Sequence, residues 1–262
     1  MIDCNSIKRI TVKVGSSTLT HSSGKLNLKR LESLARVLSD VQNKGIQVVL
    51  VTSGAISLGV NRLGLKKKPA DMPEKQAAAA IGQSELMCVY DKLFSEYGYV
   101  VGQVLLTRDV VENENRKNNV INTFNTLLKY NTIPIVNEND TVSVEEIVFG
   151  DNDTLSAVVA DLTSSDLLII LTDTDGLYDK NPREFSDAKL IPVVREIDDN
   201  MRKNAGGAGT ENGTGGMAAK LIAAELATSN KINMVIVNGK NPEIIYDILE
   251  GKQAGTVFLA KE

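Results

Sequence analysis

Strand-like apolar runs and helix-like stripes take turns from Ile10 almost to the end of the chain, and that rhythm leaves few folds open. Repeated strand–helix units build a mostly parallel sheet with helices on its faces. Ile10, Val12 and Val14 alternate with Thr11 and Lys13, which marks a first strand over Ile10–Val14 that stops at Gly15. Asn27 then reads as the N-cap of a helix whose stripe is Leu28, Leu31, Leu34, Ala35, Leu38 and Val41, closed by Gly45. Ile46–Thr52 is apolar apart from Gln47 and the last threonine, as in a strand buried on both faces. A long helix is expected from Pro73 through Gln76–Phe94, with Gly98 as its stop. Beyond it the pattern predicts a strand at Val100–Leu106, a helix at Asn118–Tyr130 and a short strand at Ile133–Val136. A hairpin over Val142–Phe149, a helix over Thr154–Leu162 and a strand over Asp166–Leu171 follow. Last come a helix from near Gly215 and a strand at Met234–Val237. No internal repeat or Pro/Ser linker divides the 262 residues into independent units.

Composition narrows the function. The single histidine (His21) and two cysteines (Cys4 and Cys88) are too few for a zinc-thiolate site or a disulfide framework, so no metal site is assigned. Aromatic residues are 4% of the chain and the net charge is −4, which supplies neither stacking platforms nor a basic face for nucleic acid. No apolar run reaches the roughly 18 residues of a membrane span. Met1–Arg9 lacks the apolar core of a secretion signal, so no membrane contact and a cytoplasmic location are expected.

In open α/β sheets ligands gather beyond the carboxyl ends of the strands, which directs the reading to four loops. In KVGSST, Lys13 beside Gly15 can bring an ammonium to phosphate oxygens, although the motif alone fits equally a strand-end lysine reaching solvent. In VTSGAIS, backbone N–H groups after Ser53 and Gly54 form a nest for a carboxylate or phosphate, or a plain helix cap. This loop lacks the GxSxG spacing of a hydrolase elbow, and the one histidine precedes it, so a serine hydrolase is rejected. VNENDTV and FGDNDTLSA bring Asn137, Asn139 and Asp140 close in sequence to Asp151, Asn152 and Asp153. Each cluster alone reads as turn chemistry. Together they offer acid and amide groups for a substrate ammonium and a carboxylate to position a lysine. Finally, LTDTDGLY follows a strand, and GTENGTGGMAAKLIAAELA leads glycines into a helix with Lys220 about one turn inside. This is neither a Walker A box nor a dinucleotide fingerprint.

Taken in order and at these separations, KVGSSTLT, VTSGAISLG, NENDTV with GDNDTLSA, LTDTDGLY and GTGGMAAK resemble the signature blocks of the glutamate-phosphorylating kinases of the amino acid kinase family. The resemblance covers essentially the whole chain. It implies a three-layer αβα sandwich with a mostly parallel central sheet of about eight strands, in one domain over residues 1–262. The N-terminal lobe (about 1–165) would hold the amino acid, and the C-terminal lobe (about 166–262) the nucleotide. The implied reaction is ATP-dependent phosphorylation of the side-chain carboxylate of L-glutamate to L-glutamyl 5-phosphate, the first step of proline synthesis, with Mg²⁺ bound with the nucleotide. By the same resemblance Lys13 and Lys220 match phosphate-binding lysines and Asp153 the acid that organises them. Ser53, Gly54, Asp140 and Asn152 fall on the glutamate side, with Asn137 and Asp151 nearby. Thr172, Asp173 and the loop Thr214, Gly215, Gly216, Met217, Ala218, Ala219 and Lys220 fall on the nucleotide side. Many family members continue into a PUA domain, and the chain is expected to be the kinase domain without it. Proline as feedback inhibitor and a homo-oligomer are expected on the same basis.

The residue inventory agrees with that chemistry. A carboxylate is already a nucleophile at neutral pH and requires no histidine base. The obstacle is repulsion: two unit charges about 4 Å apart at an effective dielectric near 20 oppose each other by roughly 4 kcal/mol. Lysines, magnesium and helix N-termini would offset it. Relatives acting on acetylglutamate, carbamate or nucleoside monophosphates lack the free α-amino group that an acidic cluster suits, whereas aspartate has one. A non-catalytic sensor would not need both lysines together with Asp153.

Overall fold

The computed structural model describes residues 3–21, 23–67, 69–142, 152–182, 184–205 and 216–261. Eight strands among them form one sheet: β1 (Arg9–Val14), β2 (Gln47–Val51), β3 (Val101–Leu106), β4 (Ile133–Glu138), β5 (Leu167–Thr172), β6 (Val193–Val194), β7 (Asn233–Asn238) and β8 (Thr256–Phe258). Their spatial order is β3-β4-β2-β1-β5-β7-β8-β6. Every pairing is parallel except β7 with β8. The expected sandwich with about eight strands is therefore the observed one.

Ten helices cover the described parts of the sheet: α1 (Ser16–Leu19), α2 (Leu28–Asn43), α3 (Ala55–Arg62), α4 (Met72–Ser95), α5 (Asp109–Glu112), α6 (Glu114–Lys129), α7 (Asn152–Leu162), α8 (Asp199–Ala205), α9 (Met217–Ser229) and α10 (Ile244–Leu249). The period-2 rule sorts each central strand between two cores. Leu167, Ile169 and Leu171 of β5 join Ile10, Val12, Val14 and the buried faces of α2 and α4. Leu168 and Ile170 face the opposite way, into a cluster with Ala157 of α7 and Ala223, Ala224 and Ala227 of α9. Thr11 and Lys13 share that second face, because they alternate with the β1 valines. Thr11 is hydrogen-bonded to Ser165 at 2.8 Å just past α7.

Several boundaries differ from the sequence expectation, each for a local reason. The helix expected from Asn118 begins at Glu114, because the Asn113 side chain caps it by accepting from the Arg116 N–H. The helix expected from near Gly215 begins at Met217, with Gly216 as its extended N-cap. Asn137 is expected just past a strand ending at Val136, but β4 continues through Glu138 with both residues buried. The expected hairpin over Val142–Phe149 lies almost wholly outside the described residues. Within the alanine run of α4, Ala78 and Ala79 are buried and α3 approaches closely: a Cβ on Gly59 of α3 would fall 1.8 Å from the Ala78 carbonyl oxygen.

The strand order places the first four strands on one side of the β1–β5 junction and the last four on the other. At such a reversal the loops beyond adjacent strands run in opposite directions and open a crevice.

Candidate active site

Parity on β1 aims Lys13 at α7, where Asp153 is the second residue. The Lys13 Nζ lies 2.6 Å from Asp153 Oδ1, and the Nζ of Lys220, in the first turn of α9, lies 3.0 Å from Oδ2. Asp153 is fully buried and the lysines are 5% and 7% exposed. The reading of Lys13 as a strand end reaching solvent is thereby excluded. Burial works to raise the Asp153 carboxyl, but the charges of Lys13 and Lys220, with hydrogen bonds from both, outweigh it and hold the pKa below the ordinary carboxylate value.

Two ammonium groups on one carboxylate leave an excess positive charge in a nearly dry place. As a stabilising device that is poor, since among the described residues Asp153 is the anion that both ammonium groups share and desolvating each of them is costly. As a receptor for an anion it is well made. A Cβ on Gly15 would stand 3.6 Å from the Lys13 Nζ, so glycine keeps that flank of the ammonium uncovered. The cap of α9, Gly216, makes no side-chain hydrogen bond to the helix, and the amides of Met217, Ala218 and Ala219 open it. These donors fit phosphate oxygens, and a nucleotide's polyphosphate in particular. Among the described residues no group of three or more His, Cys, Asp or Glu is gathered to hold a metal ion by itself.

Across β1 from α9, the ends of β2 and β4 are joined through side-chain amides. Asn152 Nδ2 donates to the Thr52 carbonyl at 2.8 Å, to Ser53 Oγ at 3.0 Å and to Asn137 Oδ1 at 2.9 Å. Asn137 Oδ1 also accepts from the Glu138 N–H, and Asn137 Nδ2 donates to Gln83 Oε1 of α4 at 2.7 Å. Beneath them Thr52 Oγ1 is hydrogen-bonded to the Tyr90 hydroxyl at 2.8 Å. Burial raises the Tyr90 phenol well above its usual value against the lowering effect of that bond, so it stays neutral. Gly54 caps α3 with φ +97°, in the left-handed region that glycine adopts freely. A Cβ there would lie 3.7 Å from Ser16 Cβ, which shows how near the first two loops approach.

The structure thus brings together Lys13, Asp153 and Lys220, and separately Ser53, Asn137 and Asn152. Asp140 is half-buried in the turn that follows β4. Thr172 is buried at the end of β5, donates from Oγ1 to Asp173 Oδ1 at 3.2 Å, and accepts through its carbonyl from Gly239 N. Asp151, Thr214 and Gly215 lie outside the described residues. Sequence reasoning passes over Gln83 and Tyr90. Their signal is a polar head in the stripe Ala78, Ala79, Gly82, Leu86 and Phe94, two helical turns apart on one face of α4.

Residues 8–238 match the amino acid kinase family model. A curated glutamate 5-kinase of Clostridium perfringens is 58% identical over 259 residues, spanning 97% of this chain and 96% of the relative. Another, of Caldanaerobacter subterraneus subsp. tengcongensis, is 53% identical over 251 residues, which are 96% of this chain and 68% of that protein. Among solved structures, the isopentenyl phosphate kinase of T. acidophilum in a product complex superposes with a TM-score of 0.65 at 20% identity, covering 95% of this chain and 99% of the other. The UMP kinase of Bacillus anthracis gives 0.65 at 17% identity, over 98% and 97%. These two likenesses establish the fold.

Proposed function

The chain belongs to the amino acid kinase family, and on that premise we propose that it phosphorylates the side-chain carboxylate of L-glutamate with ATP, giving L-glutamyl 5-phosphate for proline synthesis. The observation that carries the reading is the buried Lys13–Asp153–Lys220 triad beside the amide cluster of Ser53, Asn137 and Asn152. In the transfer a glutamate carboxylate oxygen forms a bond to the γ-phosphorus as the bond from that phosphorus to the ADP oxygen breaks, and no proton changes hands. Mg²⁺ bound with the nucleotide supplies further neutralisation of phosphate charge. Lys13 and Lys220 hold the transferring group from two sides and reduce its repulsion for the incoming carboxylate. Asp153 positions both ammonium groups and takes no proton. Ser53, Gly54, Asp140, Asn152 and Asp151 orient the amino acid, so the reacting atoms meet already aligned.

Residues up to about 165 form the glutamate lobe and those from about 166 the nucleotide lobe, where Thr172, Asp173 and Thr214 through Lys220 bind ATP. The triad then straddles the seam, with Lys13 and Asp153 from one lobe and Lys220 from the other. Proline as feedback inhibitor, a homo-oligomeric state and a cytoplasmic location belong to the same reading by resemblance. Among the described residues no helix is long and apolar enough to cross a membrane.

The test is a substrate panel in hydroxylamine, with ATP and Mg²⁺, with and without proline. Hydroxamate should form with glutamate, far less with aspartate, and not with acetylglutamate. Silence with glutamate removes the proposal, and calorimetric glutamate binding without any transfer would replace it with a sensor.

A further inference from the structure

Gln83 is not among the residues that the sequence motifs single out, yet its amide is buried at the foot of the proposed glutamate pocket. Its Oε1 has a partner in Asn137 Nδ2, but its own Nε2 has no hydrogen-bond partner among the described residues although it is sealed from solvent. A buried donor left in this state calls for a reason. The polarity of the amides around it supplies one.

The Thr52 carbonyl can only accept, so the side of Asn152 that faces it must be Nδ2. The same Nδ2 faces Asn137, which must answer with Oδ1, and the Glu138 N–H demands the same orientation. Asn137 therefore turns Nδ2 toward α4, where Gln83 must present Oε1. One main-chain carbonyl thus dictates the direction of three successive carboxamides, and the unpaired donor falls at the far end, on Gln83. Read the other way, an acceptor at position 83 locks Asn137, and Asn137 locks Asn152 with its Oδ1 turned away from β2 and β4.

We propose that Gln83 is a positioning residue for glutamate: by accepting from Asn137 it reinforces the direction that the Thr52 carbonyl and the Glu138 N–H impose on the Asn137–Asn152 amide pair, and so helps hold Asn152 with an acceptor oxygen toward the α-ammonium of the substrate. The inference rests on the glutamate kinase reading above. Its place on α4 is secured by backbone contact, since a Cβ on the adjacent Gly82 would fall 1.8 Å from the Ala55 carbonyl oxygen of α3. Gln83 acts through Asn137 and not on the phosphoryl group, so its loss should weaken glutamate binding while leaving the nucleotide side alone.

The experiment compares Gln83→Leu with Gln83→Glu in the full chain, by steady-state kinetics and by calorimetry of glutamate without nucleotide. Gln83→Leu removes the acceptor and is expected to raise both KM and Kd for glutamate about tenfold, a change worth about 1.4 kcal/mol. Its kcat should stay within about threefold and its KM for ATP should not move, as befits lost ground-state binding. Gln83→Glu keeps an acceptor oxygen in either protonation state and should hold glutamate Kd within about threefold of wild type. If Gln83→Leu does not fold, Gln83→Met fills the same space and makes the same comparison. Unchanged glutamate Kd in the apolar variant, equal impairment by the leucine and glutamate variants, or equal losses for glutamate and ATP each overturn the proposal. A wild-type chain inactive on glutamate would overturn the acceptor assignment along with it, whereas an active wild type with an indifferent Gln83→Leu overturns this inference alone.

Discussion

The two sides of the β1–β5 junction are built by different means. On the β2–β4 side, side-chain amides and hydroxyls from four segments are bonded to one another, with Gln83, Asn137, Asn152, Ser53, Thr52 and Tyr90 in one connected set. On the β5–β7 side the described bonds form smaller sets that lean on the main chain: Thr172 with Asp173 and Gly239, Asn238 and Tyr178 on Asp175, and Thr256 with the backbone of Leu177 and Ile191. A small zwitterion must be distinguished from its analogues by the direction of individual donors and acceptors, which demands locked side chains. A polyphosphate is recognised by charge and by main-chain amides, which need no such lattice. The contrast explains why the amino acid side carries a buried donor without a partner, while the nucleotide side is served by a helix end and a lysine.

The comparison breaks first at Asp153, which belongs to both sides. Asp153→Asn leaves two buried ammonium groups without their anion and should lower folding stability at neutral pH by about 3–5 kcal/mol. The sign with pH follows from its depressed pKa. A carboxylate held below its unfolded value contributes stability that is complete above that value, about 3.9, and is lost as pH falls through the folded one. Chemical denaturation of wild type and Asp153→Asn should therefore give curves far apart at pH 7 that approach each other in acid. A gap that persists unchanged to pH 2 would contradict the assignment.

A smaller effect sharpens the contrast. Gly82→Ala puts a methyl group where the Ala55 carbonyl already stands, and forcing α4 away from α3 should destabilise the fold by about 1–3 kcal/mol. Because α4 carries Gln83 and Tyr90 and α3 follows Ser53–Gly54, KM for glutamate should rise while KM for ATP holds. Matching increases for both substrates would show that the two sides are not independently supported.

Much of this arrangement is legible in the residues. β5 is apolar as far as Leu171 and reads as a strand buried on both faces, and the striped α2 with its Asn27 cap reads as a helix from periodicity and capping alone. The residues of the triad are identifiable by motif resemblance. Their meeting is not a matter of periodicity, because it depends on β1 lying between β2 and β5 and on α7 packing against α9. β6 and β8 escape notice because strands of two and three residues carry no measurable alternation, and β8 is fixed by antiparallel pairing with β7. The amide cluster is half visible: Asn137 and Asn152 stand out as polar residues near strand ends. Gln83 does not, since a glutamine inside an alanine-rich helix looks like an ordinary solvated position until the Gly59–Ala78 and Gly82–Ala55 contacts turn it inward.

The central claim is that Lys13 and Lys220 act on one phosphoryl group as a unit organised by Asp153. A double-mutant cycle on kcat with Lys13→Ala, Lys220→Ala and both together tests it most directly. Each single change should reduce kcat by about 10²–10³, and the double variant should be little slower than the slower single. Independent losses that multiply to about 10⁴–10⁶ would mean that the two lysines serve separate groups, contradicting the account.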